Sequence, residues 1–98
     1  MTLNINKNEN KATIEVIGRL DTITAPSLDK MIGEELDGIT ELTLDMNKLE
    51  YISSAGLRVI LSAQKNMQKV GSMKLIGVCE SVMEVFEMTG FADILVIE

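Results

Sequence analysis

Apolar residues recur along this chain with two different periods, and each change of period marks a new element. Leu3-Asn4-Ile5 alternates as a half-exposed strand, Asn8 to Asn10 is a polar turn, and Ala12 to Ile17 alternates again, so the first two strands are expected as a hairpin. Thr24, Ala25 and Pro26 open a helix, with Thr24 as its cap and Pro26 in the tolerant first turn; Leu28, Met31, Ile32 and Leu36 are its apolar positions and Gly38 its stop. Leu42 to Asp45 is a short strand, and Met46 to Ser53 reads as a loop. A second helix follows, with Gly56, Val59, Ile60, Ala63, Met67 and Val70 on one face and Arg58, Ser62, Lys65 and Lys69 opposite. Leu57, Leu61, Gln64 and Gln68 form a flanking stripe of mixed polarity. Its leucines are either a docking ridge or the edge of a wide core face.

Gly71 closes that helix, and Met73 to Val78 is the next strand. Ser81-Val82-Met83-Glu84 has the spacing of a capping box, so a third helix is expected from there to Gly90, with Val82, Val85 and Phe86 inward. Ile94 to Ile97 is expected as a closing strand. Strands joined through helices imply right-handed crossovers, hence an α/β domain spanning residues 1–98 whose sheet is mostly parallel after the opening hairpin. In such sheets the loops leaving the carboxyl ends of the strands gather on one rim. Asp21, Asp45 and Ser54 are expected there, with Asp21 to Thr24 walling the surface around Ser54.

Composition narrows the functional classes. The chain has 98 residues, 46% of them hydrophobic, with two Phe, one Tyr and no Trp, which makes an aliphatic core without a stacking platform for bases. Nine basic and fifteen acidic residues give a net charge of −6, which opposes nucleic acid and anionic membranes as partners. No apolar stretch approaches a membrane span, and the N-terminus lacks the pattern of a secretory signal. With the lone Cys79 read as a small buried filler, a cytoplasmic address is expected. The absence of His removes the usual general base and the commonest nitrogen ligand. Phosphate loops and paired cysteines are also missing, so neither catalysis, a metal nor a cofactor is expected.

The chemistry that remains sits at Ser53 and Ser54, where loop gives way to helix. A serine at that place can cap the helix through a free N–H of the first turn. Phosphorylated, it would set about −1.5 to −2 charges against the same N–H groups and the positive end of the helix dipole. Spacing alone leaves cap and phosphoacceptor both open.

Tyr51-Ile52-Ser53-Ser54-Ala55-Gly56-Leu57-Arg58-Val59-Ile60-Leu61, preceded by Leu44 to Leu49 and by Gly18-Arg19-Leu20-Asp21, resembles the bacterial STAS domains of anti-sigma-factor antagonists. The resemblance covers nearly the whole chain. It implies a partner-switching protein whose unphosphorylated form binds a serine-kinase anti-sigma factor and frees the sigma factor. The kinase would then phosphorylate Ser54, with Ser53 as the nearest alternative, and a PP2C-type phosphatase would restore the free form. The partner-facing residues implied are Asp21, Thr22, Thr24, Ser53, Ala55, Gly56, Leu57 and Leu61, on a monomer or weak dimer. Ser53 stands where the family pattern carries Asp, which withdraws one carboxylate from the kinase contact. A scaffolding or transporter-associated STAS module, docking stably without a phosphoswitch, is the alternative.

Overall fold

Strand β1 (Thr2–Asn8) turns at Glu9, which takes a positive φ of 58°, and pairs antiparallel with β2 (Lys11–Leu20) in unbroken register from Thr2↔Ile17 to Asn8↔Lys11. The computed structural model describes all 98 residues. Beyond the hairpin come α1 (Ala25–Glu35), β3 (Glu41–Asp45), β4 (Leu49–Ile52), α2 (Ser54–Val70), β5 (Ser72–Ile76), α3 (Glu80–Thr89) and a 3-10 turn at Phe91–Asp93. The sheet runs β1-β2-β3-β5, and every pairing after the hairpin is parallel.

Both helical crossovers step the same way across this sheet, and right-handed connections then place α1 and α2 on the same face. Alternation along β2 agrees: Ala12, Ile14 and Val16 are buried, while Thr13, Glu15 and Ile17 face the open side and are half-covered. The helix side carries one cluster of 21 buried residues, including Leu28 of α1, Ile60 of α2 and Phe86 of α3, all at 0% exposure. This is the mixed α/β arrangement expected from the sequence, with three helices on a sheet that is parallel after its hairpin.

Five local expectations are corrected. The segment Met46 to Ser53 is not a loop throughout, because β2 runs farther than β3 and leaves Gly18 to Leu20 without a neighbour. The Asp45 carboxylate takes the Asn47 amide (3.0 Å) and bends the chain, and β4 then rejoins β2 from Gly18↔Leu49 to Leu20↔Ile52. The closing strand is reduced to a single bridge, Leu75↔Ile97. Ile94 and Leu95 give their amides to Phe91 O, so only Val96 O and the Glu98 amide reach Leu75. Helix α3 starts one residue before Ser81, with Cys79 as N-cap and no side-chain cap bond, so the Ser-x-x-Glu spacing forms no capping box. Cys79 is half-buried rather than core, with Sγ 3.5 Å from Leu49 O and 3.4 Å from Ser81 Oγ.

Thr24 is the fifth. It holds the N-cap place of α1 in a helical conformation and caps nothing with its side chain. Asp21 does that work instead: Oδ1 accepts the amides of Ile23 and Thr24, each at 3.0 Å.

Candidate functional site

The join between β4 and α2 is a single residue. Ser53 has extended backbone (φ −102°, ψ 176°), so its amide still completes the sheet by donating to Leu20 O at 2.9 Å. Its carbonyl already accepts the first helical bond from the Leu57 amide at 2.9 Å, and Oγ accepts from the Gly56 amide at a long 3.5 Å. Ser53 is therefore the last residue of a ladder and the cap of a helix together. Ser54, next along, is exposed, and its hydroxyl stands outside that network. Helix geometry leaves the Ser54 and Ala55 amides without an intrahelical acceptor, so two donors and the positive helix end surround one accessible hydroxyl.

The first turn is pressed onto β2. A Cβ built on Gly56 would lie 2.8 Å from Leu20 Cγ and 2.9 Å from both Ile52 Cγ1 and Leu20 O, so only glycine lets α2 begin this close to the sheet. That contact brings Leu20, and with it the Asp21 to Thr24 loop, beside Ser54. The loop is tied at several points. Thr24 Oγ1 donates to Arg19 O at 2.7 Å and accepts the Asp21 amide at 2.8 Å. The Asp21 carboxyl is held below the ordinary carboxylate range, chiefly by the Thr24 amide, with the Thr24 hydroxyl, the Ile23 amide and Arg19 assisting and partial desolvation opposing.

Of the partner-facing residues expected from the sequence, Asp21, Thr22, Thr24, Ser53 and Ala55 do meet at this rim beside the expected acceptor Ser54; Thr22 and Ser54 are exposed and the others half-covered. Gly56 and Leu57 do not present themselves. Gly56 is closed against Leu20 and Ile52, and Leu57, 6% exposed, belongs to the core cluster. Only Leu61 of the supposed ridge is half-exposed. The inward face of α2 is turned toward Leu57 and Gln64, which leaves Val70 58% exposed. Asp45 is also away from the rim, level with Glu15 and roughly 15 Å back along β2 from Leu20.

Two features at the rim escape a reading by spacing. Ile23, on the tied loop, is 86% exposed. The Arg19 guanidinium lies over the Tyr51 ring, 4.1 Å from its centroid, and its Nε is 4.0 Å from Asp21 Oδ2. The second depends on the register Arg19↔Tyr51, which becomes visible only once β4 is recognised as a strand.

The three surface hollows lie elsewhere: about 330 Å³ over the open sheet near Thr13, Thr43 and Lys74, about 570 Å³ between α1 and α2, and about 230 Å³ beside α1. None of these hollows is lined by Asp21 to Thr24 or by Ser53 to Ala55. No trio of Cys, Asp or Glu side chains gathers to hold a metal, and no helix is long and apolar enough to cross a membrane.

Comparison with known proteins accounts for this construction. Residues 2–98 match the sequence model of the STAS domain. The chain belongs to the STAS domain family. Among the relatives of this STAS domain is BtrV of Bordetella bronchiseptica, an anti-sigma factor antagonist by name, 34% identical over 96 residues that cover 96% of this chain and 83% of the relative. The anti-sigma factor antagonist of Mycobacterium paratuberculosis superposes with a TM-score of 0.88 at 21% identity, over 98% of this chain and 83% of that one. The phosphorylated form of the Bacillus cell fate determinant SpoIIAA gives 0.78 at 16% identity, over 99% and 91%. At these identities the two structures speak for the fold, and they share the STAS arrangement described above.

Proposed function

We propose that this STAS domain is an anti-sigma factor antagonist that switches partners through Ser54. Unmodified, it binds a serine-kinase anti-sigma factor through the rim formed by the first turn of α2 and the Asp21 to Thr24 loop, and so releases the sigma factor. The kinase then ends the complex. Ser54 Oγ attacks the γ-phosphorus of ATP, the new Oγ–P bond replaces the bond to the β,γ-bridging oxygen, ADP departs, and the hydroxyl proton passes to a base on the kinase. A PP2C-type phosphatase hydrolyses the ester and restores the binding form.

One observation carries this reading: of two adjacent serines, Ser53 is committed to sheet and helix while Ser54 is exposed with an unengaged hydroxyl. Ser54 is thus the acceptor a kinase can reach without opening the fold. A relative of similar length is named as an anti-sigma factor antagonist, and a protein of the same fold is known in a phosphorylated form. The phosphate acts locally, because a helix N-terminus accommodates it without unfolding. Uncompensated charge at a closed interface costs about 3–5 kcal/mol, equivalent to roughly two to three and a half orders of magnitude in affinity.

Titration calorimetry against serine-kinase anti-sigma factors of the source organism tests the proposal. Wild type and Ser54→Ala bind, Ser54→Asp binds at least tenfold more weakly, and ATP dissolves only the wild-type complex. Equal affinity of all three proteins, or a complex indifferent to ATP, would favour a stable scaffolding module instead.

A further inference from the structure

Helix α2 is one-sided in charge. It carries Arg58, Lys65 and Lys69 and no Asp or Glu, in a chain whose net charge is −6. Lys69, in the last turn, is where the helix dipole favours a cation. Arg58, the fifth residue of the helix, lies just past the first turn, where the dipole gives a cation no support but an anion one turn back would.

No anion accompanies it within the chain. None of the five ion pairs includes Arg58, and the only cation stacked on an aromatic ring is Arg19. Its neighbours one turn away are Ser54, Ala55, Leu61 and Ser62, all uncharged. Arg19 cannot take its place at Ser54, since it lies over Tyr51 on the open side of the sheet, beside Asp21.

Geometry directs the free guanidinium to one site. Residues i and i+4 lie on one face of a helix about 5–6 Å apart at Cβ, and helical side chains lean toward the N-terminus. Arg58 and Ser54 stand in this i, i+4 relation, and both are exposed. We propose that Arg58 is the built-in counter-ion of phosphorylated Ser54, its planar fork pairing with two phosphate oxygens while the first-turn amides hold the phosphate from the other side. Phosphorylation then does two things together. It places a net negative group on the rim, and it withdraws from any partner a cation that the unmodified rim presents. The pairing rests on the reading of Ser54 as acceptor, but it is testable without a kinase.

The protein is prepared with phosphoserine inserted at position 54 during translation, in wild-type, Arg58→Gln and Arg58→Lys backgrounds, and melted at low ionic strength beside the unmodified forms. In wild type the phosphate raises Tm by roughly 4–8 °C, and Arg58→Gln loses about half of that gain. Arg58→Lys, a point charge without the fork, retains an intermediate share. The Arg58 Nε–Hε resonance moves downfield on phosphorylation in the wild type. An equal gain in Arg58→Gln and wild type, or an unmoved Arg58 resonance, would overturn the pairing and leave the helix terminus as sole receptor. Labelling by a cognate kinase elsewhere than Ser54, read by mass spectrometry, would remove the acceptor assignment on which the pairing depends, and the melts do not influence that result.

Discussion

Replacing Gly56 by alanine should destabilise the domain, although glycine to alanine inside a helix ordinarily does the reverse. The added Cβ would meet Leu20 Cγ at 2.8 Å and Ile52 Cγ1 and Leu20 O at 2.9 Å, all inside normal contact. None of these neighbours can give way easily. Leu20 and Ile52 are 0% and 4% exposed, and the Leu20 carbonyl is held by the Ser53 amide at 2.9 Å. The helix must therefore lift from β2 and β4 at the very turn that carries Ser54. Overpacking of this kind costs about 1–3 kcal/mol. Alanine's better propensity returns at most about 1 kcal/mol, and less in a first turn. A net loss of about 1–2 kcal/mol follows, lowering Tm by roughly 5–15 °C. Gly33→Ala in α1 is the matched control, because nothing lies within 4 Å of its new Cβ, and it should gain about 0.5–1 kcal/mol. Urea titrations followed by circular dichroism would measure both, with unchanged m values as the sign of an intact two-state transition. If Gly56→Ala is as stable as wild type, the close seating of α2 on the sheet is wrong.

Three further outcomes are expected. Ser53→Ala should cost about 0.5 kcal/mol, the low end for an N-cap, because the bond it removes is 3.5 Å long; a loss above about 2 kcal/mol in a urea titration would show a stronger cap than this geometry allows. Gln64→Met should stabilise by about 1 kcal/mol, since Gln64 is 5% exposed and its Oε1 has no partner, and a lower midpoint would reveal one. Asp21, whose carboxyl is depressed in the fold, contributes stability that is present above the ordinary carboxylate pKa and lost as pH falls through its own lowered value; Asp21→Asn should flatten that part of the acid-side stability profile, and a profile identical to wild type would dismiss the Asp21 turn.

Much of the fold is written in periods that the eye can follow. The alternation of Ala12 to Ile17, the Pro26 at the start of α1 and Gly90 in the left-handed conformation at the end of α3 each place an element where it stands. Strand β4 was hidden because its buried residues, Leu49 and Ile52, are three apart, and what makes it a strand is the unpaired end of β2, a fact of tertiary structure. Gln64 drew the expected inner face of α2 away from Leu57, since polarity argues for solvent while packing put both side chains inside. At the rim, Ser53 and Ser54 were legible as a pair, but their division of labour was not. That depends on Leu20 O reaching the Ser53 amide across a parallel register. Asp45 was assigned to the rim by topology, and the unequal lengths of β2 and β3 removed it.

The most direct test of the partner-switching account is to incubate the purified protein with ATP and serine-kinase anti-sigma factors of the same organism, then map phosphate by mass spectrometry of peptides spanning Leu49 to Arg58. The account predicts one phosphate, on Ser54, abolished in Ser54→Ala and unaffected in Ser53→Ala. Phosphate on Ser53, or a stable complex that never becomes phosphorylated, would contradict it.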